Sequence, residues 1–288
     1  MKFSSGRAFK EWPQRAVTVF GMSGVGKTSL AQVLRRESWF HYSVDYRIGT
    51  RYLGEEIVDN FKREAMKTPL LRSLLMSDSI TISSNIRFEN LSPLSTFLGA
   101  PGDPEKEGLS FAEFKRRQEL HRKSEIAATI ETESFIGKSR DIYGYEHFIC
   151  DASGSLCEIV DPDDQSDPVL NALAASTILV YIRGPKSHTH TLVDRFRANP
   201  KPMYYNPKFL EEKWAEYLHT NQTRPEHVDP SDFAIWGFEA LIKRRQPIYE
   251  LIAENWGYTI EMSDIAQIST ARDFIERLGA EIDRKSTK

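Results

Sequence analysis

A parallel α/β sheet covered by helices is the fold class this sequence predicts, on three observations. Short apolar runs alternate with stretches of helical period along the whole chain, the pattern of repeated strand–helix units. A glycine-rich stretch at residues 21–26 joins the first apolar run to the first helical one, as a tight strand-to-helix turn requires. The composition is that of a folded chain: 288 residues, 40% hydrophobic and 27% charged, with no repeat or low-complexity tract. Such a chain buries a sizeable core, which excludes wholesale disorder and a disulfide scaffold.

Lys and Arg number 38 against 41 Asp and Glu, a formal charge of −3. That balance argues against general adhesion to nucleic acid or to anionic membranes, so neither is expected as a partner. The two cysteines, Cys150 and Cys157, fit neither a Cys-x-x-Cys pair nor a zinc array and read as buried thiols. Residues 1–12 hold no apolar run of signal-peptide length, and nowhere do 18 apolar residues run together. A cytoplasmic protein is the expectation.

Five strands are predicted, over residues 16–20, 41–45, 146–151, 177–182 and 258–262, with helices in most intervals. The expected organisation is one domain over residues 1–288. Residues 68–109 read as an insertion broken by Pro93, Pro101 and Pro104 with Gly99, Gly102 and Gly108. Its use is a cover over a bound molecule or a passive surface loop. Residues 186–235 read as a helical lid region.

After the first strand comes Gly21-Met22-Ser23-Gly24-Val25-Gly26-Lys27-Thr28, a complete Walker A sequence with a strand before it and a helix after. Glycines let consecutive N–H groups curl around an anion, and the helix N-terminus adds positive partial charge at the same point. Gly21, Ser23, Gly24, Val25, Gly26, Lys27, Thr28 and Ser29 are therefore expected to cradle the phosphates of ATP. Lys27 is expected at the β and γ phosphates, and the Thr28 hydroxyl on Mg²⁺.

In an open α/β sheet, ligands sit beyond the carboxyl ends of the strands. Asp151, ending the third strand, is a candidate second Mg²⁺ ligand or a cap on a following helix. Asp45, ending the second, is a candidate general base towards a hydroxyl or a solvated strand-end carboxylate. Arg122 and Glu125 lie three apart on a helical stretch spanning 111–136, as an ordinary surface pair or as an arginine oriented towards a polar substrate. Arg195 and Arg197, before Pro200 and Pro202, are placed to bring cations onto a transferred phosphoryl group or simply end a basic surface helix. His188 and His190 lack metal-ligand partners and read as a solvated helix start. Asp161-Pro162-Asp163-Asp164-Gln165-Ser166-Asp167-Pro168 reads as a turn running into a helix, and Trp214, Tyr217, Trp236 and Phe238 as core or interface residues.

Taken in order, these residues resemble the shikimate kinase-like group of P-loop small-molecule kinases, within the P-loop NTPase superfamily. The resemblance implies a three-layer sandwich around a five-stranded parallel sheet of order 2-3-1-4-5. It implies that Asp45 meets the acceptor hydroxyl as the second aspartate of an Asp-x-Asp pair. Arg122-Lys123-Ser124-Glu125 is similar to the family's Arg-x-x-Glu substrate helix, and Arg195 or Arg197 to its lid arginine. Arg245-Gln246-Pro247-Ile248-Tyr249 is similar to the late helix whose arginine binds a substrate carboxylate, which assigns Arg245 that task. Two departures stand out. Ser43 replaces the first aspartate of the pair, and Asp151-Ala152-Ser153-Gly154-Ser155 replaces a triple-glycine substrate loop, putting Gly154 at the acceptor. With the extra length, they imply a different or larger acceptor than the family's own.

The function expected is thus an ATP- and Mg²⁺-dependent kinase acting on a hydroxyl of a small polar metabolite, an anionic one if Arg245 grips a carboxylate. The alternatives are a nucleotide kinase and a nucleotide-dependent ATPase switch acting on a protein partner. The sequence leaves the oligomeric state open.

Overall fold

In chain order the computed structural model, which describes residues 2–287 apart from the side chain of Lys186, begins with α1 (Gly6–Glu11), β1 (Ala16–Phe20), α2 (Lys27–Arg36) and β2 (Trp39–Ser43). The helical turn α3 (Val44–Arg47), a π-helical turn at Ile48–Tyr52, α4 (Gly54–Ala65), α5 (Pro69–Met76), α6 (Ser92–Leu98), α7 (Phe111–Ile130) and α8 (Thr132–Asp141) lead to β3 (His147–Asp151). Then come α9 (Pro168–Ser176), β4 (Ile178–Arg183), α10 (Lys186–Ala198), α11 (Pro207–Thr220), α12 (Pro230–Trp256), β5 (Gly257–Glu261), α13 (Met262–Ile265) and α14 (Ala271–Ser286). The five strands form one parallel sheet in the order β2-β3-β1-β4-β5. This is the predicted order. The chain divides into two compact units, the first of Met1–Val44, Glu125–Asn199 and Ile235–Lys288, the second of Asp45–Ser124 and Pro200–Ala234.

The first unit holds the sheet, and the two-residue period of its strands sorts side chains onto two faces. Val17, Val19, Ile149, Val180 and Ile182 pack on Leu30 and Leu34 of α2 and on Phe274, Leu278 and Ile282 of α14. On the opposite face Phe20 stacks on Tyr181 at 5.6 Å and meets Tyr249 of α12 at 6.0 Å, while Tyr42 meets Phe135 of α8 at 4.8 Å. Helices on both faces explain why the strands read as near-continuous apolar runs. Thr18, the polar member of β1, is buried because its hydroxyl lies 2.8 Å from that of Thr177. Cys150 and Cys157 are both buried free thiols, and burial pushes the pKa of each up to about 12. Asp167 caps α9 by accepting from Val169 N and Leu170 N, with Pro168 in the first turn, as the sequence suggested.

Four of the five strands are shifted by one or two residues from the sequence reading, and two departures have consequences. β2 starts at Trp39 and stops at Ser43, because Trp39 is buried edge-on against Phe274 and pairs across the strand with His147. Asp45 consequently lies in the turn α3 instead of ending a strand. Residues 68–109 contain two α-helices, since Pro69 and Pro93 occupy first-turn positions, where proline's missing N–H costs nothing and its fixed φ favours the helix.

The second unit is helical and is tied together by side chains of α7. Arg117, buried, donates to Glu113 Oε1 at 2.8 Å, to the Phe97 carbonyl at 2.6 Å and to Asn60 Oδ1 at 2.9 Å, so three segments converge on one guanidinium. The Gln118 amide donates to the Met203 carbonyl and accepts from Tyr205 N. Phe111 stacks on Trp214, and Phe233 meets both Trp214 and Tyr217 edge-on. Trp214 and Tyr217 are therefore core residues of this unit; in the first unit Phe238 is buried on Phe196 and Trp236 is half-buried.

Phe274 is fully buried between α2, β2 and the rest of α14. Phe274→Ala is expected to lower unfolding stability by about 3–5 kcal/mol, through lost transfer energy plus an unfilled cavity. Urea titration followed by far-UV circular dichroism measures it, and a loss under about 1 kcal/mol would contradict this packing.

Candidate functional site

The turn between β1 and α2 is built on glycines in positive-φ conformations that cost other residues free energy. Gly21, Gly24 and Gly26 have φ of +141°, +78° and +99°. A Cβ on Gly21 would stand 2.7 Å from the Ile182 carbonyl oxygen of the neighbouring strand. Gly26 caps α2 with no side-chain hydrogen bond, which leaves the first-turn N–H groups directed at whatever occupies the loop. Lys27, largely buried, curls back over the turn and donates to the carbonyls of Gly21 at 2.9 Å and Met22 at 3.1 Å. Val25 anchors the loop in the core, while Ser23, Gly24 and Ser29 are exposed. The loop is thus fixed from below.

Asp151 enters the same place through strand register. β3 lies between β1 and β2, with Asp151 opposite Val19 on one side and Ser43 on the other. Its side chain falls on the face covered by α2, where the Thr28 hydroxyl donates to Asp151 Oδ2 at 2.7 Å. His41, two residues before Ser43 and buried, has its Nε2 at 3.9 Å from the same oxygen. Thr28 and Asp151, both nominated for Mg²⁺, are brought together. Among the described residues no three or more His, Cys, Asp or Glu side chains cluster as a metal site. A hydroxyl and a carboxylate side by side are hard oxygen donors, and Mg²⁺ is usually held by one or two such protein groups with phosphate and water completing its shell. The donor set fits.

Beyond Asp151 the loop is tied down from behind. Ser153 Oγ and Ser155 Oγ lie 2.8 Å apart, and Ser155 Oγ donates to the Glu125 carboxylate at 2.8 and 2.9 Å. The Gly154 carbonyl accepts from Arg245 Nη1 at 2.9 Å and from Tyr249 Oη at 2.7 Å. Arg245 Nε donates to Glu158 Oε1 at 2.9 Å, and Arg244 Nε reaches Glu158 Oε2 at 3.3 Å. Glu125, Glu158 and Arg245 are all buried. Burial opposes the Arg245 charge, yet Glu158 outweighs it and raises the guanidinium above its ordinary pKa. Arg245, expected to grip a substrate carboxylate, is therefore engaged inside the fold. Glu158 was not nominated from sequence, although a glutamate inside Leu156-Cys157-Glu158-Ile159-Val160 is the pattern of a buried charge that needs a cation.

The first turns of α10 rest on the glycine loop. His188 Nε2 lies 3.3 Å from the Ser23 carbonyl oxygen, and Leu192 and His188 occupy the space 3.5 to 3.6 Å from where a Gly24 Cβ would be. Further along, Arg197 pairs with Glu239 and lies 3.9 Å from Asp194, whereas the Arg195 side chain is exposed and has no hydrogen bond or ion pair among the described residues. Of the two lid candidates, Arg195 is the uncommitted cation.

Asp45 and Arg122 belong to the second unit. Asp45 is half-buried in α3. Arg122 lies on α7 with its guanidinium 3.9 Å from Glu119 Oε1, one turn back along the helix.

No family model matches the chain, and no curated protein matches it. Among solved structures the chain is similar to a shikimate kinase from Bacteroides thetaiotaomicron, at 13% identity and a TM-score of 0.36 over 95% of this chain and 97% of that one. It is also similar to a shikimate kinase from Acinetobacter baumannii in complex with shikimate, at 18% identity and a TM-score of 0.38 over 98% and 99% of the two chains. No helix among the described residues is long and apolar enough to cross a membrane.

The glycine loop yields a comparative test. Gly24→Ala meets only ordinary contacts and carries the left-handed strain, about 1–2 kcal/mol, whereas Gly21→Ala adds a backbone clash to its positive φ. Thermal melts should place Gly21→Ala several degrees below Gly24→Ala. The reverse order would contradict this loop geometry.

Proposed function

We propose that this protein binds MgATP at the glycine loop and transfers the γ-phosphoryl group to a hydroxyl of a small polar acceptor. The observation that carries the reading is the 2.7 Å hydrogen bond from Thr28 to Asp151 beside a complete phosphate-binding loop. It joins two oxygen donors of the type Mg²⁺ takes to a backbone shaped for phosphate. Mg²⁺ held by Thr28 and Asp151 would supply charge screening on the phosphates.

In this reading the chain's own groups do the remaining work. The loop amides and the α2 N-terminus hold the phosphate oxygens, with Gly21, Ser23, Gly24, Val25, Gly26 and Ser29 forming the cradle. Lys27 exchanges the carbonyls of Gly21 and Met22 for phosphate oxygens, a favourable trade because a charged acceptor binds an ammonium more strongly than a neutral one. Asp45 takes the proton of the acceptor hydroxyl as its oxygen bonds to phosphorus and the bond to the β-phosphate oxygen breaks, giving ADP and a phosphomonoester. Arg195, the uncommitted cation of α10, is assigned to the charge on the phosphoryl group in transit, and Arg197, tied to Glu239, to shaping that helix. Arg122 and Gly154 are assigned to acceptor binding by the resemblance.

The test is ³¹P NMR of the protein with MgATP and fractionated metabolite extracts, beside a Lys27→Ala variant shown to be folded. A new phosphomonoester resonance, absent with Lys27→Ala, is the expected result and delivers the acceptor. Inorganic phosphate alone, indifferent to every fraction and lost with Lys27→Ala, would overturn the kinase reading in favour of a nucleotide-dependent switch.

A further inference from the structure

Arg245, Glu158 and Tyr249 form an arrangement that nothing in the proposed chemistry requires of an acceptor-binding arginine. Glu158 is almost fully buried in the turn that follows the loop of residues 151–155, and Arg245 on α12 answers it with Nε at 2.9 Å. The same guanidinium spans to the Gly154 carbonyl, which Tyr249, one turn along α12, also engages. One oxygen thus receives a charged and a neutral donor from a single helix, while Ser155, the next residue, is held from α7 by buried Glu125. The loop so held has a definite neighbour: a methyl placed on Gly154 would stand 3.9 Å from the Ser23 amide nitrogen of the phosphate-binding turn. It starts at Asp151, already bonded to Thr28.

We infer that Arg245, Glu158 and Tyr249 are positioning residues: a buried clamp that sets residues 151–155 against the phosphate-binding turn, acting on nucleotide binding through the Gly154 carbonyl without touching the acceptor. This rests on the nucleotide-binding reading above. The physical ground is the partner of Arg245. Withdrawing the buried Arg245 guanidinium would give up its 2.9 Å bond to fully buried Glu158 and leave the longer 3.3 Å contact from the partly exposed Arg244 as that carboxylate's remaining arginine, a cost a passing ligand does not meet. An arginine meant to release and grip an incoming carboxylate would be faced by water or by weak acceptors. The acceptor is accordingly recognised without a carboxylate contact to Arg245.

Isothermal titration with the non-hydrolysable analogue MgAMP-PNP, alongside amide hydrogen exchange over residues 151–158, separates the outcomes. Lys27→Ala marks loss of the site itself. Tyr249→Phe removes one donor to Gly154 and retains the ring, so folding is spared; Arg245→Lys keeps the charge but cannot span Glu158 and Gly154 together. Both variants should exchange faster over 151–158 with α14 unchanged, and both should bind MgAMP-PNP more weakly, by about tenfold for Arg245→Lys and less for Tyr249→Phe. Faster exchange with unchanged affinity would reduce the clamp to mere scaffolding and overturn the inference. Unchanged exchange and affinity in Arg245→Lys would overturn it too, freeing Arg245 for the acceptor. If the wild type fails to bind MgAMP-PNP, the nucleotide reading falls and the clamp's role falls with it.

Discussion

Everything at the candidate site depends on one register, the parallel pairing of β1 with β3 that sets Val19 opposite Asp151. Because side chains alternate along a strand, this register decides that Asp151 faces α2 while Cys150 faces the other way. A slip of one residue would exchange them. With the register as it stands, β1 runs into the glycine turn, β3 runs into Asp151, and the two meet at Thr28 without either loop having to reach. Ser43, opposite Asp151 on β2, and His41 beneath it complete a row of polar groups at the carboxyl edge of an otherwise apolar sheet.

The buried charges of the first unit follow a common logic. Glu125 and Glu158 are both removed from water, and both are answered locally, one by the Ser155 hydroxyl and the other by Arg245 and Arg244. Burying an ion pair gains little stability over an apolar pair of similar volume, so its retention calls for another reason. Here both carboxylates act on the short stretch between Asp151 and the turn at Leu156–Glu158. A loop of small residues, Ala152-Ser153-Gly154-Ser155, has too little apolar surface to fix itself by packing, and directional hydrogen bonds do it instead.

What was legible in the sequence is what local chemistry dictates. The glycine turn, Lys27, Thr28 and the strand ending at Asp151 stand in a contiguous or short-period pattern, and the sheet order came with the family resemblance. What was not legible depends on partners distant in the chain. Trp39 starts β2 early because Phe274, far along the chain, receives it. Pro93 opens a helix where it was expected to break one, because its effect depends on its position in the turn, which residue identity alone does not show. The ion pair of Arg245 with Glu158 joins residues 87 apart in the chain. Long-range pairing of charges leaves almost no trace in periodicity.

The partners of the cations also rank their availability. Lys27 donates to two neutral carbonyls, Arg197 to an exposed carboxylate, Arg245 to a buried one, and Arg195 to no described residue. Moving a cation onto a phosphate requires giving up what it already has. That costs least for Arg195, little for Lys27, whose carbonyls are weaker acceptors than phosphate, and most for Arg245, whose departure would give up its 2.9 Å bond to buried Glu158 and leave Arg244, at 3.3 Å, as that carboxylate's remaining arginine. An exposed ion pair such as that of Arg197 is held by about 1 kcal/mol or less, so it lies between. Ordered this way, the cations with least to give up are Arg195 on α10 and Lys27 at the glycine turn, and the arginine of α12 is the one most firmly engaged in the fold.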